Sequence, residues 1–195
     1  MSDHDAFAER GRALEEEYFR KKDRELVEKM RRAAAAEQAR GEMARQTGLQ
    51  DPALLAELQD LGFTPGTVIL LPLVPVLELA WAEGGITPAE RQLLTSLART
   101  RGIAEGGAAD RQLGEWMATR PASAVFERAG RLISALLTSG SSAVHGGLTA
   151  DQLVGYCEQI ASASGGLLGL RIGSISAEER SLLSRIAADL KTRHE

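Results

Sequence analysis

The chain has 195 residues, 44% of them hydrophobic but only 4% aromatic, and a net charge of −4. That length holds one good core plus an appendage, and the acidic balance excludes nucleic acid as the main partner. A single cysteine, Cys157, excludes an internal disulfide, and with a polar, charged N-terminus and no secretory pattern the expectation is a soluble cytoplasmic protein.

In chain order, the first element is a charged arm. Glu, Lys, Arg, Ala and Leu are strong helix formers, and their run predicts one helix from near Asp5 to about Gln46, roughly 60 Å long at 1.5 Å per residue. Residues 1–46 hold 11 acids and 11 bases, so the remainder carries the whole acidic excess. Gly11 and Gly41 are weak points in this helix. Its apolar residues, Phe7, Leu14, Tyr18, Phe19, Leu26 and Met30, form only a thin stripe. A helix so patterned lies on another surface or stays solvated, and two adjacent aromatics amid charge favour the first.

Thr47-Gly48 ends the arm, and residues 47–66 form a connector. Asp51-Pro52 starts a short helix, with a capping acid before a proline at the first helical position. Leu54, Leu55, Leu58 and Leu61 give it an apolar side. Thr64-Pro65 then starts a helix that is apolar nearly all round and ends at Gly84-Gly85, as a central core helix would. Pro72 and Pro75 predict an irregular first half. They also interrupt the longest apolar run, Val68 to Leu77, which is too short to span a bilayer.

The body, residues 67–195, then repeats itself. Ile86-Thr-Pro-Ala-Glu-Arg-Gln-Leu-Leu-Thr-Ser-Leu-Ala98 matches Ile175-Ser-Ala-Glu-Glu-Arg-Ser-Leu-Leu-Ser-Arg-Ile-Ala187. Thr87 with Glu90, and Ser176 with Glu179, read as capping boxes, and Thr149 with Gln152 as a weaker one. Helices are expected near 108–119, 121–139 and 149–164 between the copies, and no stretch alternates like a strand. The fold class is all-α: a compact seven-helix body of two related halves, preceded by the long charged helix.

The body resembles a known family. Trp81-Ala-Glu-Gly-Gly-Ile-Thr-Pro-Ala-Glu90, followed by Ser164-Gly-Gly and Ser176-Ala-Glu-Glu, is similar to the TerB-like domain of tellurite-resistance proteins, over roughly Val68 to Leu190. The resemblance implies a compact helical fold, stress-response complexes peripheral to the inner face of the membrane, an acidic metal-binding face and no catalytic activity. The arm resembles a different family. Glu15-Glu-Glu-Tyr-Phe-Arg20, Arg24-Glu-Leu26 and Lys29, with Phe7 and Arg10 upstream, are similar to the inhibitory region of the F-type ATPase inhibitor proteins, whose helix inserts between catalytic subunits. Carried over by position, the resemblance makes Phe7, Glu15, Tyr18, Phe19, Arg20 and Leu26 partner contacts. Glu17 stands where that family usually has a basic residue.

Two groups remain open. Glu83 and Glu90 flank a Gly-Gly turn and offer hard oxygens to Ca²⁺ or Mg²⁺, or else Glu90 only closes its capping box and Glu83 is a solvated helix end. Tyr18 and Phe19 either enter a partner's groove or join two copies of the arm. Gly165 to Gly173 lacks the Gly-Lys-Ser/Thr of a phosphate loop, and Cys157 has no histidine at a recognisable spacing, so no enzyme is expected. The reading is a non-enzymatic adaptor whose arm binds a protein, an F-type ATPase being one candidate. The alternative is a divalent-metal-responsive module whose arm serves only self-association.

Overall fold

Local side chains write the helix starts and stops of this chain, and most are visible residue by residue. The computed structural model describes residues 3–138 and 150–164, with Ser181, Ser184 and Ala188 besides; side chains are described for 15–136, 151–163 and those three positions. Among the described residues every regular element is helical, as the missing strand alternation implies. Apart from Ser181 and Ser184, the second copy of the internal repeat lies outside the described residues, as do the Thr149 and Ser176 caps and the Gly165–Gly173 loop.

The chain divides into two units, Met1–Ala39 and Arg40–Glu195. Helix α1 is continuous from Asp3 to Thr47, so neither Gly11 nor Gly41 breaks it. In the first unit, ion pairs form along its own surface. Lys22 pairs with Glu25 at 3.3 Å and Arg32 with Glu28 at 3.1 Å, exposed pairs that contribute a few tenths of a kcal/mol at most.

The second unit begins with the last turns of α1. Met43 and Thr47 are buried; the Thr47 hydroxyl donates to the Met43 carbonyl at 2.8 Å and accepts from the Leu49 N–H. Gly48 then takes a left-handed φ of 74° and its N–H closes on the Ala44 carbonyl, a stop that glycine adopts without strain. Helix α2, Pro52–Asp60, starts as expected, with Asp51 accepting the Ala53 N–H at 2.8 Å. It buries Leu55 and Leu58. Its end repeats at the end of α4, Pro88–Thr100. In both, a glycine follows the cap with positive φ, and the next N–H reaches back five residues, Phe63 to Leu58 and Ile103 to Ala98. Phe63 and Ile103 then turn inward and are buried, the apolar contact that accompanies this stop.

The core element expected from Thr64 to Gly84 is two elements. Val68–Leu73 is a 3-10 helix (η1) and Val74–Ala80 an α-helix (α3). Pro72 and Pro75 account for the division. Each lacks an N–H, and in an α-helix each ring would press on the carbonyl four residues back. Pro75 falls in the first turn of α3, where its missing N–H breaks no helical bond, and Pro72 lies inside the tighter η1. In α3 every residue but Glu78 is buried, and it packs against η1, α4, α6 (Ser123–Thr138) and α7 (Ala150–Ser164). It is the central helix of the unit.

Polar ties close the remaining ends. Helix α5, Ala108–Ala118, has terminal carbonyls without intrahelical donors; the Trp81 indole N–H reaches Trp116 O and Arg91 reaches Met117 O, both at 3.0 Å. Arg99 donates to Ile103 O at 2.8 Å and to Asp110 Oδ1 at 2.7 Å, while Asp110 Oδ2 accepts the Gly106 N–H. That N–H, with Arg99, holds the Asp110 carboxyl below its usual range. Between α2 and α6, Glu57 accepts from Arg128 at 2.8 Å and Arg131 at 3.3 Å. The Arg128 hydrogen bond holds the Glu57 carboxyl down against the opposing effect of burial. Among the described residues no helix is long and apolar enough to cross a membrane.

At α4 the box is complete. Glu90 N donates to Thr87 Oγ1 at 3.2 Å, and Thr87 N donates to Glu90 Oε2 at 2.7 Å. Thr87→Ala is expected to lower the unfolding free energy by about 1 kcal/mol, with Thr87→Ser near wild type, as read from urea denaturation midpoints.

Candidate functional site

A charged helix with no face of its own to bury leaves its apolar residues in solvent, and α1 does so. Tyr18 is 58% exposed, Phe19 62%, Leu26 56%, Val27 45% and Met30 65%. These five are all of the large apolar side chains exposed among the described residues, and they fall between Tyr18 and Met30 of one helix. Scattered single apolar residues on a surface mean little; five on one short helical segment concentrate the exposed apolar surface of the described residues.

Helical spacing orders the patch. At 100° per residue, Phe19, Leu26 and Met30 fall on one line of the helix, with Tyr18 and Val27 to either side. The Tyr18 and Phe19 rings meet edge to face, centroids 5.8 Å apart at 72°, the orientation their quadrupoles favour. Lys22 Nζ stands 5.8 Å from the Tyr18 ring centroid. Arg20 turns its Nε back to the Glu16 carbonyl and Arg24 to that of Arg20, which leaves the stripe bordered by charge.

Of the expected partner contacts, Glu15, Tyr18, Phe19, Arg20 and Leu26 are exposed along this helix. Phe7 belongs to α1 by its backbone, and its side chain lies outside the described residues. Val27 was not among the expected contacts. A lone valine between leucine and glutamate adds nothing to a heptad count, and only its exposure beside Leu26 marks it.

The carboxylates proposed for metal stand differently. Glu83 is exposed, whereas Glu90 is 2% exposed and closes the α4 capping box. Its Oε2 therefore already receives an N–H. Among the described residues no three or more His, Cys, Asp or Glu side chains gather as a metal site would require. Cys157 is buried, and desolvation, ahead of Glu78 and Glu158, pushes its thiol up to about 12. At neutral pH it is a protonated, inert core residue rather than a nucleophile. Arg101 is drawn below its ordinary value by burial, which its contact with Tyr156 partly offsets. Compared with family models, curated proteins and solved structures, the chain matches none.

Proposed function

We propose that the protein is a non-enzymatic adaptor in which the helical second unit is a scaffold and the first unit binds a protein partner, as a helix seated in a groove. The observation that supports this is the confinement of every exposed large apolar side chain among the described residues to Tyr18–Met30. Helix-in-groove recognition uses such a stripe, with anchors at three- and four-residue spacing and a charged surround that keeps the free helix soluble. Aromatic anchors carry most of the affinity in interfaces of this kind, which assigns the leading role to Tyr18 and Phe19. Leu26 and Met30 extend the contact, and Glu15 and Arg20 fix its register.

The similarity of Glu15–Arg20 to the ATPase inhibitor proteins makes an F-type ATPase the first partner to assay. The TerB-like resemblance of the body supports a stress-linked assembly at the inner face of a membrane. ATP hydrolysis by that enzyme, titrated with the full chain, is expected to fall to a plateau. Tyr18→Ser with Phe19→Ser is expected to weaken the effect by at least about tenfold, with thermal stability within the small range of surface substitutions. Undiminished hydrolysis at every concentration removes the ATPase as partner. Equal inhibition by the double variant removes the stripe as the binding element.

A further inference from the structure

We infer that the stripe of α1 pairs with the same stripe of a second copy of this chain, antiparallel, about a two-fold axis passing between Tyr18 and Phe19. This rests on the reading of the arm as a docking helix and names its resting partner. The order of charge about the aromatics carries it. Glu15, Glu16 and Glu17 precede Tyr18-Phe19, and Arg20, Lys21 and Lys22 follow. Reversing the chain direction therefore exchanges acid for base at every one of these positions. In a two-fold interface residue i meets j as j meets i, so a helix with this pattern is complementary to its own reverse.

The seam follows from helical spacing. At 100° per residue, Glu15, Tyr18, Phe19, Lys22 and Leu26 lie within an arc of about 100°. Glu15 and Lys22 sit near its middle, and with the axis between positions 18 and 19 each Glu15 comes level with Lys22 of the second copy. Two opposite-charge contacts result. Four rings, both Tyr18 and both Phe19, close around the axis and leave the solvent that now reaches them. Leu26 comes level with Gly11 of the second copy, a helical position with no side chain to obstruct it. Glu16, Glu17, Arg20 and Lys21 lie off the seam and add the attraction of an acidic end for a basic one. Lys22 now rests on Glu25 at 3.3 Å, with both side chains more than half exposed. Such a pair is worth little and exchanges readily. A parallel, in-register pair would set Glu15 beside Glu15 and Lys22 beside Lys22, which like charges oppose.

Sedimentation equilibrium of the full chain tests this. Wild type is expected to show a monomer–dimer equilibrium that weakens with added salt. Glu15→Lys alone and Lys22→Glu alone each turn two attractions per dimer into repulsions, and each is expected to weaken self-association by about tenfold or more. An equimolar mixture of the two variants restores attraction at both contacts and is expected to dimerise as wild type does. Glu15→Lys with Lys22→Glu in one chain is expected to do so alone. Far-UV circular dichroism of each variant confirms that the helix persists. A wild type monomeric throughout the accessible range overturns the pairing; if that monomer still inhibits through Tyr18 and Phe19, the adaptor reading stands. A dimer indifferent to the single changes, or single variants that fail to recover on mixing, also overturns it.

Discussion

Leu77→Ala is expected to lower the free energy of unfolding by about 2–5 kcal/mol, the range for a buried leucine whose site collapses only in part. Leu77 is buried at 1% exposure on α3, the helix that meets η1, α4, α6 and α7. A void there is felt by several elements together. A site this fully enclosed closes only in part, which places the effect toward the upper part of the range. The matching control is Leu26→Ala on α1, where the side chain is 56% exposed; its effect is expected within about 0.5 kcal/mol. Urea denaturation followed by tryptophan emission checks the first, since Trp81 and Trp116 belong to the second unit, and far-UV circular dichroism checks the second. A Leu77→Ala midpoint equal to wild type would show that α3 is not the centre of that core.

The second large effect is expected at alkaline pH. Burial raises the Cys157 thiol from an ordinary value of 9.0 to about 12. The folded chain therefore keeps a proton that the unfolded chain releases above about pH 9. Where the unfolded state binds fewer protons, stability falls as pH rises. The contribution of the neutral thiol is whole below pH 9 and is lost from there toward pH 12, at about 1.4 kcal/mol per pH unit. The informative quantity is the difference from a variant that lacks the thiol. Cys157→Ala is expected to be somewhat less stable at pH 7, from the lost sulfur, and to show a shallower alkaline limb than wild type. Parallel limbs would mean that the thiol is not shielded from solvent.

What was legible in the sequence was local. Asp51-Pro52, Thr87 with Glu90, and Gly48 each act through atoms within a turn of themselves, so spacing alone located their helix ends to within a residue or two. The all-α class followed from the absence of alternation. The division of the proline-containing core element into η1 and α3 was not legible, because whether a Pro-interrupted run bends, kinks or rewinds depends on the helices packed around it. The ties of Trp81 to Trp116 O and of Arg128 and Arg131 to Glu57 were hidden for a similar reason: their partners are far apart in the chain. For the candidate site, periodicity revealed the stripe but not its full membership. Val27 joins only because nothing covers it. Glu90 read as either a ligand or a cap, and the structure shows the capping contact, with the Thr87 N–H donating to its Oε2.

Some arginines of the second unit hold carbonyl or carboxylate oxygens with specific geometry, and this constrains what mutation can do there. Arg99 spans Ile103 O and Asp110 with the two arms of one guanidinium. A lysine in its place carries a single point of charge and cannot hold both at once. Arg128 and Arg131 converge on one oxygen of Glu57, and Arg91 serves a carbonyl at the end of α5. Along Glu15–Arg32 the bases are exposed on the helix surface, and arginine and lysine both occur there. An Arg-to-Lys exchange is therefore expected to be disruptive at Arg99 and milder along the exposed part of α1, so the same exchange carries different selective weights at different positions of a single chain.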